Sequence, residues 1–285
     1  MLGIAVRLLI LAAWLALSGW HVADRLLPAW GLVPASDPAS VLAERVGTVQ
    51  HYAIHWRGSD GGERRIGQCL SSAIADDIGL RLETALEVTD TRGIPAERWL
   101  RRALGGRGRH GIRLHLASQL DARLRLRRVE GEGSLFGLAV RGEGEVDGRG
   151  LRLRWQAGEA SGELLLPEIR PELLAGSDLG FGLPRGLRPG QRFTQRLATI
   201  DYLQLRPRLG EAVFSVRGRE ALATAAGELP LLVVDMELDG RRFATLWADE
   251  RGIVYRQQLV ELPLALSLLR ITDSFGQQRW PATTL

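Results

Sequence analysis

Cysteine occurs once in the 285 residues, as Cys69. One cysteine allows no intramolecular disulfide, no cysteine-rich metal site and no disulfide-stapled scaffold. It also lies too far from the N-terminus to be the lipidated first residue of a mature lipoprotein. Lysine is absent, so all 37 basic residues are arginine. An arginine-only set suits phosphate or nucleic acid when it clusters. Here it does not cluster. The arginines alternate with 33 acidic residues, as on a solvated sheet face, and a GC-rich genome accounts for the choice of arginine. No nucleic-acid partner is expected.

Metal-ligand spacing is missing too. His51 and His55 share a strand face, but four residues of strand separate them by about 13 Å. They cannot bind one ion together. Adjacent Asp76 and Asp77 would face opposite sides of a strand and read as turn residues rather than an acid–base pair. No cofactor and no metal is expected.

Long apolar runs are confined to the start. Leu8–Leu17 is apolar throughout and follows Arg7, the layout of a secretory signal. Ala16-Leu17-Ser18 offers a small-residue cleavage site, whereas Trp14, Trp20 and Trp30 suit a retained membrane anchor with rings at the interface. Residues 1–24 are therefore expected to be a transmembrane anchor or signal helix, and residues 25–45 a proline-bearing tether. The tether's end, Pro38–Arg45, suits a short helix capped by Asp37. Either reading exports the remainder, anchored to the inner membrane with its body in the periplasm or released after cleavage.

What fills residues 46–285 is period-two alternation. Ile112, Leu114, Leu116 and Leu120 alternate with Arg113, His115, Gln119 and Asp121. Leu124 and Leu126 alternate with Arg123, Arg125 and Arg127. Leu151, Leu153 and Trp155 alternate with Arg152, Arg154 and Gln156. The pattern resumes with Phe214 and Val216, then Val234 and Met236. Such alternation marks antiparallel strands with one dry and one wet face. Asp239-Gly240 is a hairpin turn and Asp249–Gly252 a second turn. Glycines 131, 133, 142, 144, 148 and 150 read as turns or bulges between strands. Ile94–Leu104 is the one clear helix of the body, with Pro95 in its first turn. Residues 167–191, rich in proline and glycine, read as an irregular crossover between two halves of one sheet. The expected fold is mainly β: one domain holding a large curved antiparallel sheet, an open half-barrel of about 11–12 strands with one or two helices.

Two motifs compete for catalysis. Arg65–Asp76 followed by Thr91–Leu100 resembles the cysteine region of transglutaminase-like cysteine peptidases. A nucleophilic cysteine needs a histidine base and an orienting acid, and no family context surrounds His110 or His115. Gly106–Gly111 matches GxGxxG formally, but a helix precedes it and a strand follows, the reverse of a nucleotide-binding unit.

A further resemblance covers about Arg45 to Thr272. Gly186-Leu187-Arg188-Pro189-Gly190-Gln191 is followed by a strand with Val216, Gly218 and Glu220. Trp247, Asp249 and Gly252 come next, then Leu269-Arg270-Ile271-Thr272. Together these resemble a bacterial envelope protein family of unknown function with a lipoprotein-carrier-like half-barrel. That resemblance implies an open barrel around a helix, whose relatives carry or sense lipids or lipoproteins. It brings no catalytic residue.

The expected function is a non-enzymatic envelope protein binding a lipid or acyl chain on the concave sheet face. The residues expected to line that face are Leu114, Leu116, Leu124, Leu126, Trp155, Phe214, Val234, Met236 and Trp247. The alternative is a scaffold domain with an envelope protein partner, contacted through sheet edges or arginine faces. A thiol-dependent enzyme at Cys69 ranks third.

Overall fold

The computed structural model of the protein describes residues 45–58, 61–91, 111–167, 169, 183–201, 206–224, 227–260 and 263–273. The expected anchor, tether and body helix Ile94–Leu104 lie outside the described residues. So does the glycine-rich stretch before Gly111.

Fourteen strands form one antiparallel sheet. The first eight are β1 (Thr48–Arg57), β2 (Glu63–Ala75), β3 (Gly79–Val88), β4 (Ile112–Asp121), β5 (Leu126–Leu135), β6 (Leu138–Asp147), β7 (Gly150–Ala157) and β8 (Ala160–Leu166). The remaining six are β9 (Arg192–Asp201), β10 (Arg206–Thr224), β11 (Gly227–Leu238), β12 (Arg241–Ala248), β13 (Val254–Leu259) and β14 (Leu264–Asp273). Helix is all but absent among the described residues.

The mainly-β reading holds, with more strands than the 11–12 expected. The shortfall lies in the glycines. Gly131 pairs with Gly142, Gly133 with Val140, and Val129 with Gly144, all within the β5–β6 ladder. These glycines are strand residues, not turns. Gly148 does lie in a turn, between β6 and β7.

The chain runs as two meanders, β1 to β8 and β9 to β14. They merge because β1 pairs with β14, from Thr48↔Asp273 to Trp56↔Leu264. Sheet order is β8-β7-β6-β5-β4-β3-β2-β1-β14-β13-β12-β11-β10-β9. The consecutive strands β8 and β9 are therefore its two edges, and the sheet is not closed. The expected crossover, residues 167–191, falls between β8 and β9 in the sequence, and most of it lies outside the described residues.

Thirteen strand spacings of about 4.8 Å would make a flat sheet about 62 Å wide. A sheet of that width curls. Here β10 comes back against β14, four places away in the sheet order. The apolar faces of β9 to β13 thereby meet one another. Leu232, Val234, Met236 and Leu246 are buried there, and Phe193 stacks on Phe214 with ring centroids 4.8 Å apart. Each such side chain contributes about 1.5–3 kcal/mol on burial. A second cluster, with Tyr52, Ile54, Cys69, Leu266 and Leu268, crosses β1, β2 and β14. A third joins Leu80, Leu120, Leu126, Val146, Leu151 and Leu166, covered by Ile169 beyond β8.

The crossover returns onto the β12–β13 turn. Leu183 N–H donates to the Gly252 carbonyl (3.1 Å), and Gly186 N–H donates to the Glu250 carbonyl (2.8 Å). Gly252 has φ +82°, and a Cβ there would sit 2.0 Å from the Leu183 carbonyl oxygen. Only glycine satisfies both conditions. Asp249 holds the same turn, its Oδ1 accepting from the N–H groups of Arg251 and Ile253. The motif residues of the envelope-family resemblance are turn and packing residues here.

Candidate functional site

Strand pairing defines the two faces of the sheet. On the charged face the arginines are matched by acids. Asp121 takes Arg125 (2.9 Å) and Arg127 (2.8 Å), Arg128 takes Glu130 (2.8 Å), and Asp235 takes Arg217 and Arg242 (2.8 Å each). The arginine run 123–128 is thus largely neutralised by partners. Such exposed pairs contribute about 0–1 kcal/mol each.

Glu83 and His115 also lie on this face, 3.9 Å apart. The nearby His115 imidazole is the main cause that draws the Glu83 carboxyl down to about 2, and Arg81, hydrogen-bonded to it at 2.7 Å, assists. The same carboxylate raises His115.

The apolar face carries a continuous row of paired residues across eight strands. Gln50, Ser71, Thr84, Leu116, Gly131, Gly142, Trp155 and Gly162 face one another in turn, from β1 to β8. The first three are polar. The rest are apolar or bare backbone. Leu116 and Trp155 are 51% and 40% exposed, as is Leu164 at 41%, although this face is buried across β9 to β13.

Glycine shapes the space between them. A Cβ on Gly131 would lie 2.9 Å from Leu116 Cδ2, so Leu116 leans over Gly131. A Cβ on Gly162 would meet the Trp155 ring at 2.9–3.0 Å, so the indole leans over Gly162. Between them a Cβ on Gly142 would make only ordinary contacts, 3.6 Å from the Arg154 carbonyl oxygen and from Leu153 Cδ1. The result is an apolar trough with Gly142 as floor and Leu116 and Trp155 as banks. The third core cluster bounds one end. Leu116 and Trp155 lie three strands apart, about 14 Å along the sheet.

Of the nine expected lining residues, Leu114, Leu116 and Trp155 border this trough. Leu126 is buried at its bounded end. Leu124 is not in a strand: it occupies the β4–β5 turn at φ +58°. Alternation continued through Asp121–Arg125 misread that turn, which Asp121 organises by accepting from the N–H groups of Arg123 and Arg125. Phe214, Val234 and Met236 share the apolar face but are sealed in the first core cluster. Trp247 is on the opposite face. It pairs with Val233, one residue out of step with Val234, and its indole N–H donates to Glu220 (3.1 Å) while Arg256 lies over the ring. A register shift between Met236 and Glu237, with Phe243 as the extra residue of β12, upset the parity.

Sequence reasoning missed the polar end and the glycine floor. Glycines two apart on each of two successive strands are a period-two signal in their own right. At the polar end, buried Gln50 accepts hydrogen bonds from the half-buried Arg45 guanidinium and from the Tyr52 hydroxyl (3.1 Å). Tyr52 also donates to the Val254 carbonyl on β13 (3.3 Å). Three residues on, Gln257 is 1% exposed, and neither atom of its amide has a hydrogen-bond partner. An unsatisfied buried polar group costs about 1–3 kcal/mol.

Cys69 lies on the apolar face, opposite Tyr52 and Leu86. Burial pushes its thiol up to about 12. His51, His55 and His115 are on the other face, so none of them can serve it as base. No cluster of metal-ligating side chains occurs among the described residues. No helix among them is long and apolar enough to cross a membrane.

No protein-family model matches this chain, and no curated protein matches it. A solved structure of a DUF1089 family protein from Pseudomonas aeruginosa is similar, at 23% sequence identity. The similarity covers 66% of this chain and 87% of that one, with a TM-score of 0.35. It is too loose to carry residues from one protein to the other.

Proposed function

We propose that this protein is an exported envelope protein that holds the hydrocarbon chain of a lipid in the trough across β4–β7, without acting on it. The observation that carries the reading is Leu116 and Trp155 standing half in water over a glycine floor. Across β9 to β13 the same face is buried. An apolar recess of this kind is where hydrocarbon gains most by leaving water. In this reading the sheet is an open half-barrel: β9–β13 fill their own interior and β4–β8 receive the guest. Export rests on the charged-then-apolar pattern of residues 1–24. A lipoprotein-carrier role is the narrower form of the same idea, supported by the sequence pattern from Gly186 to Thr272.

Native mass spectrometry of the full chain purified from membranes tests the reading. A retained lipid, lost when Gly142 is replaced by leucine, supports it. A protein that purifies empty and takes up no fatty acid refutes it.

A second reading has its own observation. Strand β8 is a sheet edge, and its Leu164 and Leu165 are 41% and 50% exposed on opposite faces. Unpaired apolar edges invite strand addition by a partner. Crosslinking from β8 in cells that captures one protein in stoichiometric amount favours this reading over lipid carriage.

A further inference from the structure

The polar end of the row has a charge that the fold does not balance. Arg45 precedes β1 and sets its guanidinium on the Gln50 side-chain oxygen, next to the Tyr52 hydroxyl. No carboxylate pairs with Arg45 among the described residues, whereas Arg125, Arg127, Arg217 and Arg242 on the charged face each have one. Burial lowers the affinity of this guanidinium for its proton, the expected penalty on a cation leaving water without a counter-charge. A guanidinium has five N–H donors, and Gln50 is a neutral acceptor.

Its nearest neighbours along the row are buried and uncharged. Gln50 is 2% exposed and Ser71 is 8% exposed. Across the same face Gln257 presents an unpartnered amide at 1% exposure, on the strand that Tyr52 reaches. Five strand spacings, about 24 Å along the sheet, separate Gln50 from Gly142. The row between them passes from polar to apolar without interruption.

We propose that Arg45, seated on Gln50, docks an oxyanion, and that the ligand is an anionic amphiphile. Its carboxylate or phosphate lies at Arg45 and its chain extends toward Gly142. This rests on the lipid reading of the trough and adds the headgroup class and its direction. An oxyanion fits because a guanidinium pairs with two of its oxygens at once. The chain runs the other way because the row beyond Thr84 offers no polar side chain.

The test uses the full chain and three probes: a fluorescent fatty acid, its methyl ester, and inorganic phosphate or acetate as competitor. The wild type should bind the acid at least tenfold more tightly than the ester. Arg45→Gln should abolish that preference by weakening the acid at least tenfold more than the ester, and Arg45→Lys should keep part of it. Equal binding of acid and ester by the wild type overturns the proposal and leaves the trough reading standing. Binding of neither overturns both. Displacement of the acid by phosphate or acetate at equal concentration assigns the site to a free anion and overturns the amphiphile. The wild-type comparison decides the matter even if Arg45→Gln fails to fold.

Discussion

Gly142→Leu should weaken lipid binding while leaving the fold as stable as before, or more so. The backbone permits the change: Gly142 is outside the left-handed region, and a Cβ there meets its neighbours at 3.6 Å. Glycine inside a strand costs about 0.5–1 kcal/mol in conformational entropy, so its removal should raise stability by up to that amount. The new side chain would stand on the trough floor between Leu116 and Trp155. Its four carbons would exclude about three methylenes of a bound chain. At about 0.8 kcal/mol each, that is about 2.4 kcal/mol, or roughly fiftyfold in Kd. The assay is a binding isotherm with a fluorescent fatty acid beside urea melts of the same preparations. Unchanged affinity at unchanged stability would refute the placement of the chain. Gly131 is a poorer choice, because Leu116 Cδ2 already stands 2.9 Å from its would-be Cβ.

Gly252→Ala should destabilise by about 2 kcal/mol or more, read as a lower urea midpoint, since it adds left-handed strain to a clash with the Leu183 carbonyl. Cys69 should resist iodoacetamide in the native protein: with its thiol near 12, only about one molecule in ten thousand carries a thiolate at pH 8. Labelling should appear on unfolding, and rapid native labelling would contradict the burial. His115→Ala should raise the Glu83 pKa from about 2 toward its ordinary 4.5, followed by carboxyl NMR. The depressed Glu83 supplies stability that is present above its unfolded pKa and lost as pH falls from about 5 to about 2. The raised His115 supplies stability below its unfolded pKa, lost as pH rises through its folded value. The variant should accordingly show a shallower loss of stability in acid.

Much of this was legible in the residues. Period-two alternation in Ile112–Leu120 and Leu151–Trp155 placed β4 and β7 and told their wet face from their dry one. Asp239-Gly240 closes the β11–β12 hairpin with both residues at positive φ. The glycines of β5 and β6 were misread: glycine breaks strands by propensity and is tolerated where a neighbour needs the space of its Cβ. Which case applies depends on Leu116, Leu151 and Val129, which the strand pairing alone brings beside these glycines. Trp247 failed through a bulge, since one extra residue turns every later side chain to the other face.

The residues alone thus determined a mainly β chain with one charged and one apolar face, because alternation is a local property of a pleated strand. They also determined a lone cysteine and an arginine set spread among acids. Only the tertiary structure decided which apolar residues remain open to a guest. Phe214, Val234 and Met236 alternate as cleanly as Leu114 and Leu116, yet the first three are sealed because β10 returns against β14, while Leu116 looks over glycine. Pairing β1 with β2 also put Gln50, with Arg45 on its side chain, at the head of the row that ends in Gly162. Exposure depends on how far a sheet curls and which strand meets which, and both are set by contacts distant in the chain.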